Sequence, residues 1–202
     1  MAIESGLAVG CADVQATGGT RHILIREWAT GDTIGIDSSA GQLITKVKDT
    51  GGSTATWGVY ESKIESSSLT ITGGNEGNDT NTYECVLSFY LPRLSVDKMV
   101  RLEEFYGACL MCIIVDSDSD ADYLVNQVIG ISDKYRNQEN YLKNQTYARL
   151  SSVEGGTGGA FSDDNGVTVT ITCTQYELPR TYDEVAGAGI TIAADGLTAT
   201  TT

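Results

Sequence analysis

The residues best placed to do chemistry lie together in "CLMCIIVDSDSD", Cys109 to Asp120, where two thiols stand three positions apart and aspartates then recur at every second position. Two thiolates at C-x-x-C spacing can supply half of a zinc site or cycle as a redox dithiol. Structural zinc needs four closed ligands, and a lone C-x-x-C lacks the second pair or the histidines that complete them. A redox pair is normally activated by a helix N-terminus, which lowers the thiol pKa. Cys109 and Cys112 instead follow a predicted helix C-terminus and enter an apolar run, where a reduced cysteine packs as a small hydrophobe.

Asp116, Asp118, Asp120 and Asp122 are spaced like the oxygen-rich start of a calcium loop. The EF-hand pattern asks for glycine where Ala121 stands and glutamate where Gln127 stands. Carboxylates in a tight turn also cap backbone N–H groups and face water, which accounts for them without an ion. Asp116, Asp118 and Asp120 therefore stand as a weak candidate cation site. The stretch reads as a strand running into an acidic turn, and no cofactor is expected.

Other catalytic patterns are weaker still. His22 is the single histidine, so a Ser-His-Asp arrangement has one base to use and no nucleophile elbow near it. None of the glycine doublets opens a phosphate-cradling loop. A carboxylate pair of glycosidase type is possible among 27 acids but is unspecific, because their separation is not visible in sequence. The expectation is a chain that is not an enzyme.

The elements around these residues are mostly strands. "RHILIREW", Arg21 to Trp28, sets His22, Leu24 and Arg26 opposite Ile23, Ile25 and Glu27. "TGDTIGIDSSAGQLITKVKD" suggests two short strands joined by turns. "GGSTATWGVYESKIESSSLTITGG" reads as one long β-prone run that turns through loop 73–81 into "TYECVLSFYLPRL", forming a long projecting hairpin. A helix is predicted over Val96 to Tyr106, with Ser95 as N-cap, a Leu94–Met99 staple, Gly107 at C′, and an apolar stripe of Val96, Met99, Val100, Leu102, Phe105 and Tyr106. "CLMCIIV" and "YLVNQVIGI" spell a second hairpin across the acidic turn. "VTVTITCT", Val167 to Thr174, is the clearest strand, with Val167, Val169, Ile171 and Cys173 on one face and four threonines on the other.

These elements divide into an N-terminal arm 1–20, a single β-rich domain 21–178 with an insertion at 134–152, and a C-terminal tail 179–202 that adds at most one strand, Gly189 to Ala193. The 202 residues are 41% hydrophobic with 23 glycines and a net charge of -14, the composition of a folded body and not of a charged disordered chain. With a pI near 4.3 the surface as a whole repels a polyanion, which disfavours tight reading of duplex DNA or RNA; an acidic wall past which nucleic acid slides is compatible. The five cysteines, Cys11, Cys85, Cys109, Cys112 and Cys173, are expected to be reduced and largely buried. No apolar run approaches the ~18 residues of a membrane span, and no signal-like N-terminus is present, so cytoplasmic synthesis without a membrane partner is expected.

The segment order in "YECVLSFYLPRLSVDKMVRLEEFYGACLMCIIVDSDSDADYLV", followed by "GGAFSDDNGVTVTITCTQYE", resembles the structural virion proteins of tailed bacteriophages, especially the tail tube type of phages and prophages of Bacteroidetes hosts. The resemblance covers mainly Tyr83 to Glu177 and rests on segment order. It implies an antiparallel β-sandwich or barrel-like body with one packed α-helix, hexameric rings of the chain with itself, and stacked rings enclosing a channel for transient, non-specific DNA passage. It also implies contacts with other phage tail proteins, assembly in the host cytoplasm and residence in the virion tail. The hairpin tip, Gly74, Asn75, Glu76, Gly77, Asn78, Asp79 and Thr80, would then be the assembly loop. Two alternatives stand beside the tube: a tail-completion, connector or baseplate protein of the same fold, and a carbohydrate-binding or adhesin-like β-module presenting Trp28 or Trp57.

Overall fold

A computed structural model of the chain describes residues 20–29, 32–36, 43–48, 54–62, 66–75, 81–93, 95–116, 126–131, 147–157, 165–182 and 189–201. Within them lie β1 (Thr20–Glu27), β2 (Thr33–Ile36), β3 (Leu43–Lys48), β4 (Ala55–Tyr60), β5 (Ser67–Asn75), β6 (Asn81–Pro92), α1 (Val96–Glu104), β7 (Leu110–Asp116), β8 (Asn126–Ile129), β9 (Arg149–Gly156), β10 (Gly166–Gln175), β11 (Arg180–Tyr182), β12 (Ile190–Ile192) and β13 (Thr198–Thr201). The fold is mainly β with one packed helix and a curled, open sheet.

That curled sheet has nine strands in the order β12-β13-β4-β1-β7-β8-β11-β3-β2, antiparallel throughout except where β11 runs parallel to β3. A second sheet, β5-β6-β10-β9, is antiparallel and four-stranded. Two cores result. One lies between the sheets and gathers Ile23, Ile25, Cys112 and Ile114 from the large sheet with Leu87, Phe89, Val169 and Ile171 from the small one. The other lies on the far face of the large sheet and holds Leu24, Ile44, Trp57, Met111, Ile113 and Tyr182.

The central strands β1 and β7 are therefore covered on both faces. A strand with water on one side alternates, whereas one buried on both sides reads as a continuous apolar run. This is the physical reason for "LMCIIV": Cys112 and Ile114 face the inter-sheet core, while Met111 and Ile113 face the other, all within 5% of full burial.

Three expectations are corrected. The run from Ala55 to Asn75 is not one arm of a hairpin: β4 belongs to the large sheet and β5 to the small one. Ser62 ties the crossing between them to β6, its Oγ donating to the Tyr90 carbonyl and accepting from the Tyr90 N–H, both at 3.2 Å. The helix ends at Glu104, short of Tyr106, with Gly107 at φ 77° in the turn that follows. Its buried face is Leu102 and Phe105 alone; Val96, Met99, Val100 and Tyr106 are exposed, because the helix rests on the rim of the sandwich and is covered from one side. Ser95 does cap it, accepting from Lys98 N at 3.3 Å, whereas Leu94 lies outside the described residues. Finally, the C-terminal segment supplies β11, β12 and β13, and β13 pairs with β4 over four residues. Trp57 seals that joint at 1% exposure, with Nε1 donating to Thr201 Oγ1 at 3.0 Å.

Burial has a consequence for alkaline stability. It pushes the Cys112 thiol far above its ordinary range, and it raises Tyr60, which packs edge-on against Phe105 at 5.5 Å. Groups with a raised folded pKa contribute stability that is complete below the unfolded pKa and is lost as pH rises beyond it. The denaturation midpoint should hold up to pH ~8.5 and then fall, each such thiol removing about 1.4 kcal/mol per pH unit. Urea titrations from pH 7 to 10.5 test this, and Cys112→Ala should make the decline visibly shallower.

Candidate assembly face

The four-stranded sheet covers the inter-sheet core with one face and leaves the other open. On β10 the inward set is Val167, Val169, Ile171 and Cys173, all buried, and the outward set is Thr168, Thr170, Thr172 and Thr174. Residues directly opposite on antiparallel strands share a face, so the register extends the outward set across the sheet. Thr170 faces Ser88 on β6 and Ser152 on β9; Thr172 faces Val86 on β6 and Arg149 on β9; Thr174 faces Glu84; Thr168 faces Glu154. On β5, Ser68, Thr70 and Thr72 lie opposite Ser88, Val86 and Glu84. The outcome is a hydroxyl-rich surface with sparse charge, Glu84 and Glu154 together with Arg149. Gly166 permits the Tyr90 ring to lie across the end of this face, since a Cβ there would stand 2.4 Å from Tyr90 Oη.

The two edges of this sheet differ. Natural sheets blunt free edges with bulges, charges or proline. β9 carries Arg149 and Glu154, a register shift opposite Thr170/Ile171, and Gly155 at φ 152°, where a Cβ would collide with Gly166 O. β5 has none of these: nine residues, SSLTITGGN, pair with β6 in unbroken register and present their other side unpaired among the described strands. At its end Gly74 pairs with Thr82 and Asn75 with Asn81, two pairs past the last β6–β10 pair at Tyr83. Gly74 is exposed with open space around it, while Glu76 to Thr80 lie outside the described residues.

The structure separates the two thiols of the C-x-x-C. Cys112 is wholly buried in the inter-sheet core. Cys109 precedes β7, its carbonyl accepting from Trp28 N at 2.8 Å and its Sγ lying 3.9 Å from Arg149 Nη2. Among the described residues no group of three His, Cys, Asp or Glu side chains is arranged to hold a metal. Asp116 ends β7 opposite Thr20, and Asp118 and Asp120 fall outside the described residues. His22 sits on β1 opposite Val115, its side chain 16% exposed and its Nδ1 3.6 Å from the exposed Glu61 carboxylate.

A groove between α1, β4 and the β12–β13 turn is lined by charges of both signs, several of them engaged within the chain. Arg26 pairs with the buried Asp32 at 2.8 Å, Arg101 with Glu104 at 2.9 Å, and Lys98 Nζ donates to the Pro92 carbonyl. The Arg26–Asp32 clamp was not evident in the sequence, whose one local sign was the Gly31-Asp32 dipeptide; the Asp32 carboxylate also accepts from Ala29 N at 3.0 Å. Trp57 is inside the second core, and Trp28 is half-buried beside Tyr147, their rings 5.9 Å apart. No family model, curated protein or solved structure matches this chain.

Proposed function

We propose that this chain is a non-enzymatic structural subunit of a bacteriophage tail, the tube protein, whose copies close into hexameric rings that stack around a channel for DNA. The observation that carries this reading is the four-stranded sheet: backed by a core on one face, hydroxyl-rich on the other, and with β5 and β9 unpaired on their outer sides among the described strands. Its strands alternate in direction, so β5 and β9 run opposite ways. A neighbour related by rotation then lays its β9 antiparallel beside the uninterrupted β5, with the bulge and Gly155 of β9 restricting the pairing to part of that strand, and every junction in the ring is the same head-to-tail contact.

In such a ring the threonine face lines the lumen. Neutral hydroxyls and carboxylates make up most of this face, with Arg149 at its β9 edge, so a phosphate backbone meets little that grips it and slides with weak adhesion. The loop Gly74 to Thr80, which follows from the end of β5, is the segment proposed to contact the next ring. Deleting Gly74 to Thr80 should leave the β-rich circular dichroism and single rings unchanged while reducing stacked tubes to background in negative-stain images. Normal tubes after the deletion would refute that role.

A further inference from the structure

Cys85 and Cys173 stand directly opposite each other on β6 and β10, the two central strands of the small sheet. Both side chains face the inter-sheet core and both are free thiols, at 0% and 5% exposure. Opposed residues on antiparallel strands hold their Cβ atoms about 4.5–5.5 Å apart, close to the 3.5–4.5 Å that a disulfide spans, so a small approach of the strands suffices. We propose that Cys85 and Cys173 are a dithiol pair able to close into a cross-strand disulfide that staples the centre of the four-stranded sheet. The inference stands on strand pairing and is independent of what the chain assembles into.

The neighbours of the pair fit this chemistry. Each thiol acts on the other, lowering Cys85 and, together with burial, raising Cys173. Cys173 Sγ also lies 3.5 Å from Gln175 Oε1, and that oxygen accepts from Gly130 N at 2.9 Å, so Gln175 keeps a donor when the thiol proton leaves. Cys112 shares the same core but lies on β7 in the opposite sheet, and Cys109 lies outside that core, so register singles out Cys85 and Cys173 as facing partners.

The oxidant is a small-molecule disulfide of the glutathione class. The Cys85 thiolate attacks one of its sulfurs and expels one glutathione thiolate; Cys173 then gives up its proton and displaces the second. Two protein thiols become one disulfide, and one glutathione disulfide becomes two glutathione thiols. Because both sulfurs are shielded, exchange proceeds while β6 and β10 pair during folding or when they open.

The test is to refold the full chain in a reduced/oxidised glutathione buffer and map its disulfides by non-reducing peptide mass spectrometry. The expected result is a dominant Cys85–Cys173 linkage with unchanged circular dichroism and a melting temperature about 10 °C above that of the reduced chain, as closure of so long a loop implies. Cys85→Ala and Cys173→Ala should each lose both the linked peptide and the rise. Scrambled linkages with this pair no more frequent than others, or a linked chain no more stable than the reduced one, would overturn the proposal. The wild-type comparison stands even where a variant folds poorly.

Discussion

In the pair Thr70→Pro and Ile71→Pro, one variant keeps the β-rich fold and loses assembly, and the other loses stability. Along an antiparallel edge strand successive residues point their N–H groups alternately toward the partner strand and away from it. Proline at the outward position removes a donor that nothing inside the chain uses, and edge strands tolerate it. Proline at the inward position deletes a rung of the β5–β6 ladder and orphans a carbonyl, a loss of about 1–3 kcal/mol. At Ile71 the loss of a half-buried side chain adds to it. The folded member of the pair should need at least about tenfold more protein to assemble, the equivalent of roughly 1.4 kcal/mol per junction. If it assembles like the wild type, the β5 edge is not a subunit junction.

Trp57→Ala should lower unfolding free energy by about 3–5 kcal/mol, the usual loss for a fully buried large aromatic. The side chain fills the second core between β4 and β13, and its indole N–H is bonded to Thr201 Oγ1 across 144 positions of sequence. Trp57→Phe separates the two contributions: it keeps most of the packing and removes the hydrogen bond. Thr201 Oγ1 remains bonded to the Val47 carbonyl, so the phenylalanine variant should lose only about 1 kcal/mol. Urea midpoints of the three chains decide it; equal stability of wild type and Trp57→Ala would show that β13 is not part of the cooperative fold.

Legibility in the sequence followed burial on one face. "VTVTITCT" alternates because one side meets core and the other does not, and β10 matches it residue for residue. "CLMCIIV" was readable as a strand, but its cover on both faces depends on β1 and on two separate cores, which no local pattern encodes. The crossing at Glu61 to Ser66 carries no glycine or proline, so β4 and β5 read as one run although they enter different sheets. "ITI" and "TATT" are too short and too small to signal strands alone; β4 supplies the ladder that makes β13 one. The stripe predicted on α1 was broader than the face the sheets cover, since periodicity shows which residues are apolar and not which are met. For the assembly face, the threonines of β10 were visible, whereas their continuation onto Ser88, Ser152 and Thr70 required the register.

On the proposed function, the edges of the small sheet left unpaired among the described strands are completed by other copies of this chain. Native mass spectrometry of the purified protein, with negative-stain images of the same sample, addresses it across a protein series and from low to high salt. The account predicts six-copy rings and stacks of them, with assembly favoured as salt screens the charge of -14 carried by every subunit. A monomer that persists at every protein and salt concentration would contradict it.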